Sequence, residues 1–279
     1  MTYGQGAYGL LLAGLHSRSP WLVPVARSSE TLTVRRDAWR SEPLPDVTGE
    51  RFTFPDSARF RVRVERDPAM LVIESDAFVS DHFVVHPYLS YAAAMHAHWQ
   101  GSVALHAGVV DVDGRAWVLL ADIFGGKTSL LAALAERGFT VLADDLAIID
   151  ADHEVRSGPR CVDLRSGAFH ALKPSGPITS VRGRHRLTLG PAPLKLPLGG
   201  FVVLSWGSAL TVERLGLVER SQLLVDSQTA WGPSSAKSLL DVLKSPFVAL
   251  SRPRGFALID ETIDVLLARV RSEPSGLQR

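Results

Sequence analysis

One run in the middle of the chain leaves little freedom in what it can fold into. An apolar strand, Ala116 to Ala121 (AWVLLA), meets a turn holding Gly125-Gly126, and a helical stretch follows from about Lys127 to Arg137. Gly138 caps that helix and a second apolar strand, Phe139 to Ala143, begins at once. A strand, tight loop, helix and strand within about 30 residues read as a βαβ unit, with its two strands parallel and its helix packed on the sheet. The fold class expected is therefore α/β.

The turn carries chemistry as well as geometry. Ala121-Asp122-Ile123-Phe124-Gly125-Gly126-Lys127-Thr128 fits the phosphate-loop pattern G-x-x-x-x-G-K-[ST] at every fixed position but the first, where Ala stands for Gly. Such a loop points backbone N–H groups and a helix N-terminus at phosphate oxygens. Gly125, Gly126, Lys127, Thr128 and Ser129 are the expected binding residues. Lys127 is placed to reach the β- and γ-phosphates, and the Thr128 hydroxyl to sit on Mg²⁺. The second strand ends in Asp144-Asp145. Carboxylates at the carboxyl end of a neighbouring parallel strand lie at the sheet edge where phosphates bind, ready to contact Mg²⁺ or take a proton. The plain alternative is a tight glycine turn, a solvated lysine and a strand end. Ile123 and Phe124 weigh towards it, being bulky in a loop that must approach a polyanion, and a positive φ at Phe124 would add strain.

Composition narrows the rest. Thirty Lys plus Arg balance 29 Asp plus Glu, for a net charge of +1, which argues against a bulk electrostatic nucleic-acid binder. A single cysteine, Cys161, rules out an internal disulfide or a multi-Cys zinc site and makes a reducing cytoplasm the simplest compartment. Cys161 itself reads as a buried small hydrophobe. No apolar run reaches the length of a membrane span, and Tyr8 to Leu15 lacks the flanks of a signal peptide.

Along the chain, residues 1–92 read as a β-rich region, 93–271 as the phosphate-binding core and 272–279 as a frayed tail. Arg59 to Glu74 alternates apolar and charged residues around Asp67-Pro68, a hairpin signal. Leu32 to Trp39 is a further strand, Glu42 to Pro55 a Pro-rich loop, and Pro87 to Trp99 a helix. Val103 to Val110 reads as one strand turning through Asp111–Gly114 into the next. Strands follow at Leu146–Asp150, Leu187–Leu189 and Gly200–Trp206, and helices at Ser234–Leu243 and Ile259–Val270.

The stretch Ala104 to Asp150, with Leu105-His106 before a strand, a short Asp-Gly turn, the phosphate loop, a helix ending Arg137-Gly138 and the Leu-Ala-Asp-Asp strand, resembles the HPr kinase/phosphorylase family. Within that family it resembles the small peptide-serine kinases of ribosomal-peptide (lasso-peptide-type) biosynthesis. The resemblance implies a P-loop kinase core of HPr-kinase type behind a β-rich N-terminal region. It implies an ATP- and Mg²⁺-dependent cytoplasmic enzyme that phosphorylates a serine of a small protein or precursor peptide, with other maturation enzymes and a homo-oligomer as possible partners and no nucleic acid or membrane. Asp144 matches the base that accepts the serine proton, Asp145 its metal-binding partner beside Thr128, and His106 the histidine that tunes them. A later E-[IV]-R-G signature has only a loose counterpart in Asp163 to Gly167. The rival from another class is a non-catalytic relative, a binding or scaffold protein that binds nucleotide weakly or not at all. A third reading, a P-loop ATPase or GTPase, is disfavoured because the acidic pair directly follows the helix of the phosphate loop and this sequence shows no switch or base-recognition motif.

Elsewhere, the basic cluster Arg182 to Arg186 reads as a solvated turn as readily as an anion site, and Arg160 as a slightly better anion contact. His82 and His86 flank a β-like Phe-Val-Val, so helical i, i+4 geometry is not expected of them, and His96 and His98, two apart on a helix, do not share a face; all four read as structural. No G-x-S-x-G anchors a hydrolase triad.

Overall fold

The computed structural model describes residues 3–40, 51–57, 59–229 and 236–273. Strands β1 (Tyr3–Ala7), β2 (Leu10–Ala13), β3 (Val23–Ala26), β4 (Thr31–Asp37), β5 (Arg51–Ser57), β6 (Phe60–Glu65) and β7 (Met70–Ser75) form one sheet in the order β3-β1-β2-β4-β7-β6-β5. The β6–β7 hairpin pairs Val62 with Ile73 and Val64 with Leu71, and all four are buried, as period-two alternation requires. Its charged face is covered too, with Arg61 paired to Glu74 and stacked on Trp39.

Two short helical turns, α1 (Asp81–Phe83) and a π-helical turn Val84–Tyr88, lead into α2 (Leu89–Trp99). Alanines at 92, 93, 94 and 97 leave α2 thin and buried nearly all round, so it lies inside the molecule.

The second sheet uses β8 (Val103–Leu105), β9 (Gly108–Val112), β10 (Arg115–Ala121), β11 (Val141–Ala143), β12 (Ala147–Ile149) and β13 (Glu154–Arg156), with α3 (Lys127–Glu136) crossing between β10 and β11. A small antiparallel sheet follows, β14 (Cys161–Leu164), β15 (Ile178–Val181) and β16 (Arg184–Thr188), with α4 (Ser166–Leu172) after β14. The long β17 (Lys195–Trp206) returns to the second sheet, joined by β18 (Thr211–Arg214) and β19 (Phe247–Arg252). Helices α5 (Leu217–Asp226), α6 (Ala236–Val242) and α7 (Ile259–Ser272) complete the chain.

Strand direction decides where the chemistry sits. β10 pairs parallel with β17, and β17 parallel with β19. β9 runs antiparallel to both β10 and β11, so β11 points the same way as β10. Four carboxyl ends therefore reach one sheet edge. They deliver the loop after Ala121, the Asp144-Asp145 pair, Trp206 and Arg252. Alternation across these strands builds two cores. Val118, Leu120 and Phe201 face the first sheet and α2, whereas Leu119, Val202 and Leu250 face α3 and α7.

Several expectations change. The strands around α3 are parallel but not neighbours, because β9 lies between them. Val103 to Val110 is two strands broken at His106-Ala107, since β8 pairs with β12 and β9 with β10. Arg51 to Pro55 belongs to β5 rather than to a loop; the rest of that stretch, 42–50, lies outside the described residues. Position 92 falls within α2, whose buried alanines belong to a core running from Ala7 to Phe247. Arg271 and Ser272 are helical and Glu273 is held by Arg214 and Arg269; 274–279 lie outside the described residues, as do 234–235 of the helix expected at Ser234–Leu243. No helix among the described residues is long and apolar enough to cross a membrane.

Candidate active site

The turn after β10 is tightly specified. Gly125 N–H donates to the Asp122 carbonyl at 2.8 Å, and the Gly126 carbonyl accepts the first helical bond from Leu130 N–H at 3.0 Å. Phe124 and Gly126 both lie in the left-handed region, φ 66° and 80°. Two side chains at the ends of β17 and β19 hold that conformation. Trp206 Nε1 donates to the Phe124 carbonyl at 3.0 Å and Arg252 Nη2 to the Gly125 carbonyl at 3.1 Å, with Arg252 stacked on Trp206. A Cβ on Gly126 would come within 2.6 Å of Arg252 Nη2, so only glycine lets these groups close on the loop. Burial lowers the Arg252 pKa to about 10, and its Nη1 has no partner among the described residues. The bulky residues turn outward: Ile123 is 80% exposed and Phe124 61%, the latter beneath the Arg165 guanidinium at 4.3 Å.

Helix α3 then starts with Lys127 and Thr128 facing the acidic pair. Lys127 is buried and lies 3.3 Å from His106 Nε2, at the break between β8 and β9. Burial and the Lys127 charge lower the His106 pKa, so the neutral ring accepts at Nε2 and carries its proton on Nδ1. Thr128 Oγ1 donates to Asp144 Oδ1 at 3.2 Å.

The two carboxylates are driven apart electrostatically. Burial and the Asp145 charge push Asp144 up to about 7, against the pull of Lys127 and His86. Burial would raise Asp145 as well, but hydrogen bonding and charge from His86, followed by the charge of Lys127, outweigh it and hold Asp145 far below the usual range. Asp145 adopts φ 71°, which turns it away from Asp144 and towards His86.

His86, read as structural from the sequence, belongs to the site. It is buried, with Nε2 3.3 Å from Asp145 Oδ2 and 3.7 Å from Asp163 Oδ2. Burial lowers its pKa, but the Asp145 bond and the two carboxylate charges prevail and raise it. Asp163 is gripped by Arg186 at 2.6 and 2.7 Å, and Arg186 also donates to the His82 and His86 carbonyls. Arg186 is thus fully buried rather than part of a solvated turn, and it ties the small sheet to the segment carrying His86. Arg160, expected as an anion contact, instead spends its guanidinium on the carbonyls of Gly190, Val141 and Leu142. Cys161 is buried, and burial raises its thiol pKa out of the reactive range. His96 pairs with Glu30 Oε1 at 2.9 Å, away from the site.

Lys127, His106, Asp144, Asp145 and the loop residues Gly125, Gly126, Thr128 and Ser129 all line one cavity of about 920 Å³. His86, Asp163, Trp206 and Arg252 line it as well. Spacing carried a faint signal for His86, one turn beyond His82. Asp163 stood in the loose E-[IV]-R-G counterpart. Nothing local marked Trp206 or Arg252, which arrive by strand pairing across about 80 to 130 residues.

No family model matches the chain, and no curated protein does. Among solved structures, it is similar to the Hpr(Ser) kinase/phosphatase from Coxiella burnetii at 11% identity and a TM-score of 0.34, over 61% of this chain and 99% of that one.

Proposed function

We propose that the chain is an ATP-dependent kinase that transfers the γ-phosphoryl group to a serine hydroxyl of a small protein or precursor peptide. The observation that carries this reading is the meeting of Lys127, Thr128 and a split carboxylate pair at one sheet edge, with His106 behind them. The loop amides and Lys127 suit a polyphosphate. The hard oxygen donors Thr128 and Asp145 suit Mg²⁺, which would neutralise phosphate charge when bound. The unpartnered Arg252 Nη1 supplies a further buried donor at the same edge.

In the transfer, the serine oxygen forms a bond to the γ-phosphorus as the bond to the β–γ bridging oxygen breaks, and ADP leaves. Asp144 takes the serine proton. A carboxylate whose pKa is raised towards 7 is a stronger base than an ordinary one and is still largely ionised above neutrality. Asp145, kept ionised by His86, remains available to a cation. His106, kept neutral, positions Lys127 without adding charge. Catalysis then consists mainly of positioning and charge neutralisation.

The outward turn of Ile123 and Phe124 favours this reading over a scaffold that has lost nucleotide, since neither side chain fills the phosphate cradle. Calorimetric titration of ATP with and without Mg²⁺ tests it. Native protein binds in the micromolar range and Lys127→Ala loses at least about tenfold, or about 1.4 kcal/mol. A folded native protein that binds no ATP returns the chain to the scaffold class.

A further inference from the structure

The cavity holds more positive charge than a nucleotide site needs. On the wall formed by the small sheet and α4, Arg165, Arg182 and Arg184 line it, and none of the three forms an ion pair among the described residues. Neighbouring Arg186, by contrast, has its carboxylate in Asp163. Arg182 and Gly183 form a two-residue hairpin turn between β15 and β16, both with positive φ, 53° and 68°. Such turns favour Asn or Asp at the position Arg182 fills, and a long cationic side chain there is held against local preference. The Arg182 guanidinium lies 5.6 Å from the Phe83 ring and 5.9 Å from that of Tyr88, which fix its direction but satisfy none of its donors.

This wall is on the Asp145 side of the cavity. Arg184 is two residues from Arg186, which leads through Asp163 and His86 to Asp145. Arg252 holds the phosphate loop through the Gly125 carbonyl. Phe124 and Ile123 stand at the mouth, exposed, with Arg165 over the Phe124 ring.

We propose that the acceptor serine lies in an acidic peptide segment, whose carboxylates are taken by Arg165, Arg182 and Arg184 as the hydroxyl is led to Asp144. This rests on the kinase reading above and names its substrate class. Charge complementarity decides the occupant: three guanidinium groups without carboxylates line a cavity in which Asp144, Asp145 and Asp163 are engaged by Thr128, His86 and Arg186. Asp122, exposed in the loop, is the one lining carboxylate with no side-chain partner of this kind among the described residues. A nucleic acid is the weaker fit. The chain is nearly neutral overall, and these cations are confined to one cavity wall rather than spread in a stripe.

The test is fluorescence anisotropy with a labelled peptide in which serine is flanked by aspartates, its counterpart flanked by asparagines, and a labelled single-stranded oligouridine. Native protein and the double variant Arg182→Gln/Arg184→Gln are compared, and ATP is titrated into both. The acidic peptide binds native protein at least about tenfold more tightly than the asparagine peptide. The double variant closes that gap with its ATP affinity retained, and added salt narrows the gap in native protein. Equal affinity for the two peptides, absence of binding by both, or tighter binding of oligouridine than of the acidic peptide overturns the proposal. A fall in ATP affinity in the double variant also overturns it, by assigning these arginines to the nucleotide. Loss of the kinase reading shows separately, as ATP binding that is absent from native protein or indifferent to Lys127→Ala.

Discussion

Asp144 and Asp145 are adjacent in sequence and opposite in behaviour. The left-handed backbone at Asp145 sends its carboxylate to His86 and leaves Asp144 buried against Thr128 and the charge of its neighbour. The cost of this division is measurable in protein free of Mg²⁺ and nucleotide. Asp144 titrates near 3.8 when unfolded and about 7 when folded. Between those values the folded chain keeps a proton that the unfolded chain has released, so raising the pH through that window lowers stability. Asp144→Asn keeps an acceptor for Thr128 and removes the titration. The variant is therefore more stable than native at neutral pH, by up to a few kcal/mol, and the difference vanishes as the pH falls to about 4. Urea denaturation at a series of pH values checks this, and a pH-independent difference would refute the assignment.

At the scale of the element, β10, its loop and α3 act as one part whose conformation is imposed from outside. Phe124 in the left-handed region costs about 1–2 kcal/mol, and the bonds from Trp206 and Arg252 to successive loop carbonyls offset it. Gly126→Ala places a methyl 2.6 Å from Arg252 Nη2 and 2.8 Å from Trp206 Cη2 in a backbone region that alanine avoids. The expected outcome is about 1–3 kcal/mol of lost stability together with loss of ATP binding, read by denaturation and calorimetry on the same variant. The same element explains what sequence could show. The loop, Lys127, Thr128 and Asp144-Asp145 were legible because strand, turn and helix signals are local and lie within one crossover. Trp206 and Arg252 were not, because the register of β17 on β10 and of β19 on β17 places them there. The insertion of β9 between β10 and β11 was hidden for the same reason: a crossover reveals direction but not how many strands it spans. His86 was lost to a local misreading, since Phe83-Val84-Val85 has β-forming residues and yet lies in helical turns. Tertiary burial overrode propensity there.

For the molecule as a whole, the N-terminal sheet and the site-bearing sheet share contacts that a mobile appendage would not have. Tyr8 N–H donates to the Ser157 carbonyl, and Arg160 N–H to that of Trp21, both at 2.7 Å. Trp21 is the centre of this seam. It is 2% exposed, donates through Nε1 to Thr188 Oγ1 at 2.9 Å, and carries the Arg186 guanidinium on its face at 4.6 Å. Arg186 is the group that holds Asp163 and the His86 backbone, so a tryptophan from the β2–β3 connection supports the chain of contacts ending at Asp145. Two consequences follow from that connection. Urea unfolding of native protein followed by far-UV circular dichroism and by tryptophan fluorescence gives coincident transitions, because the buried residues of the first sheet belong to a core shared with the second and have none of their own to unfold around. Trp21→Ala costs about 3–5 kcal/mol, the usual range for emptying so large a buried volume, and lowers ATP affinity although residue 21 does not line the cavity. Separate transitions for the two probes, or a Trp21→Ala protein with native ATP affinity, would mean instead that the first sheet is an independent unit resting on a self-sufficient site.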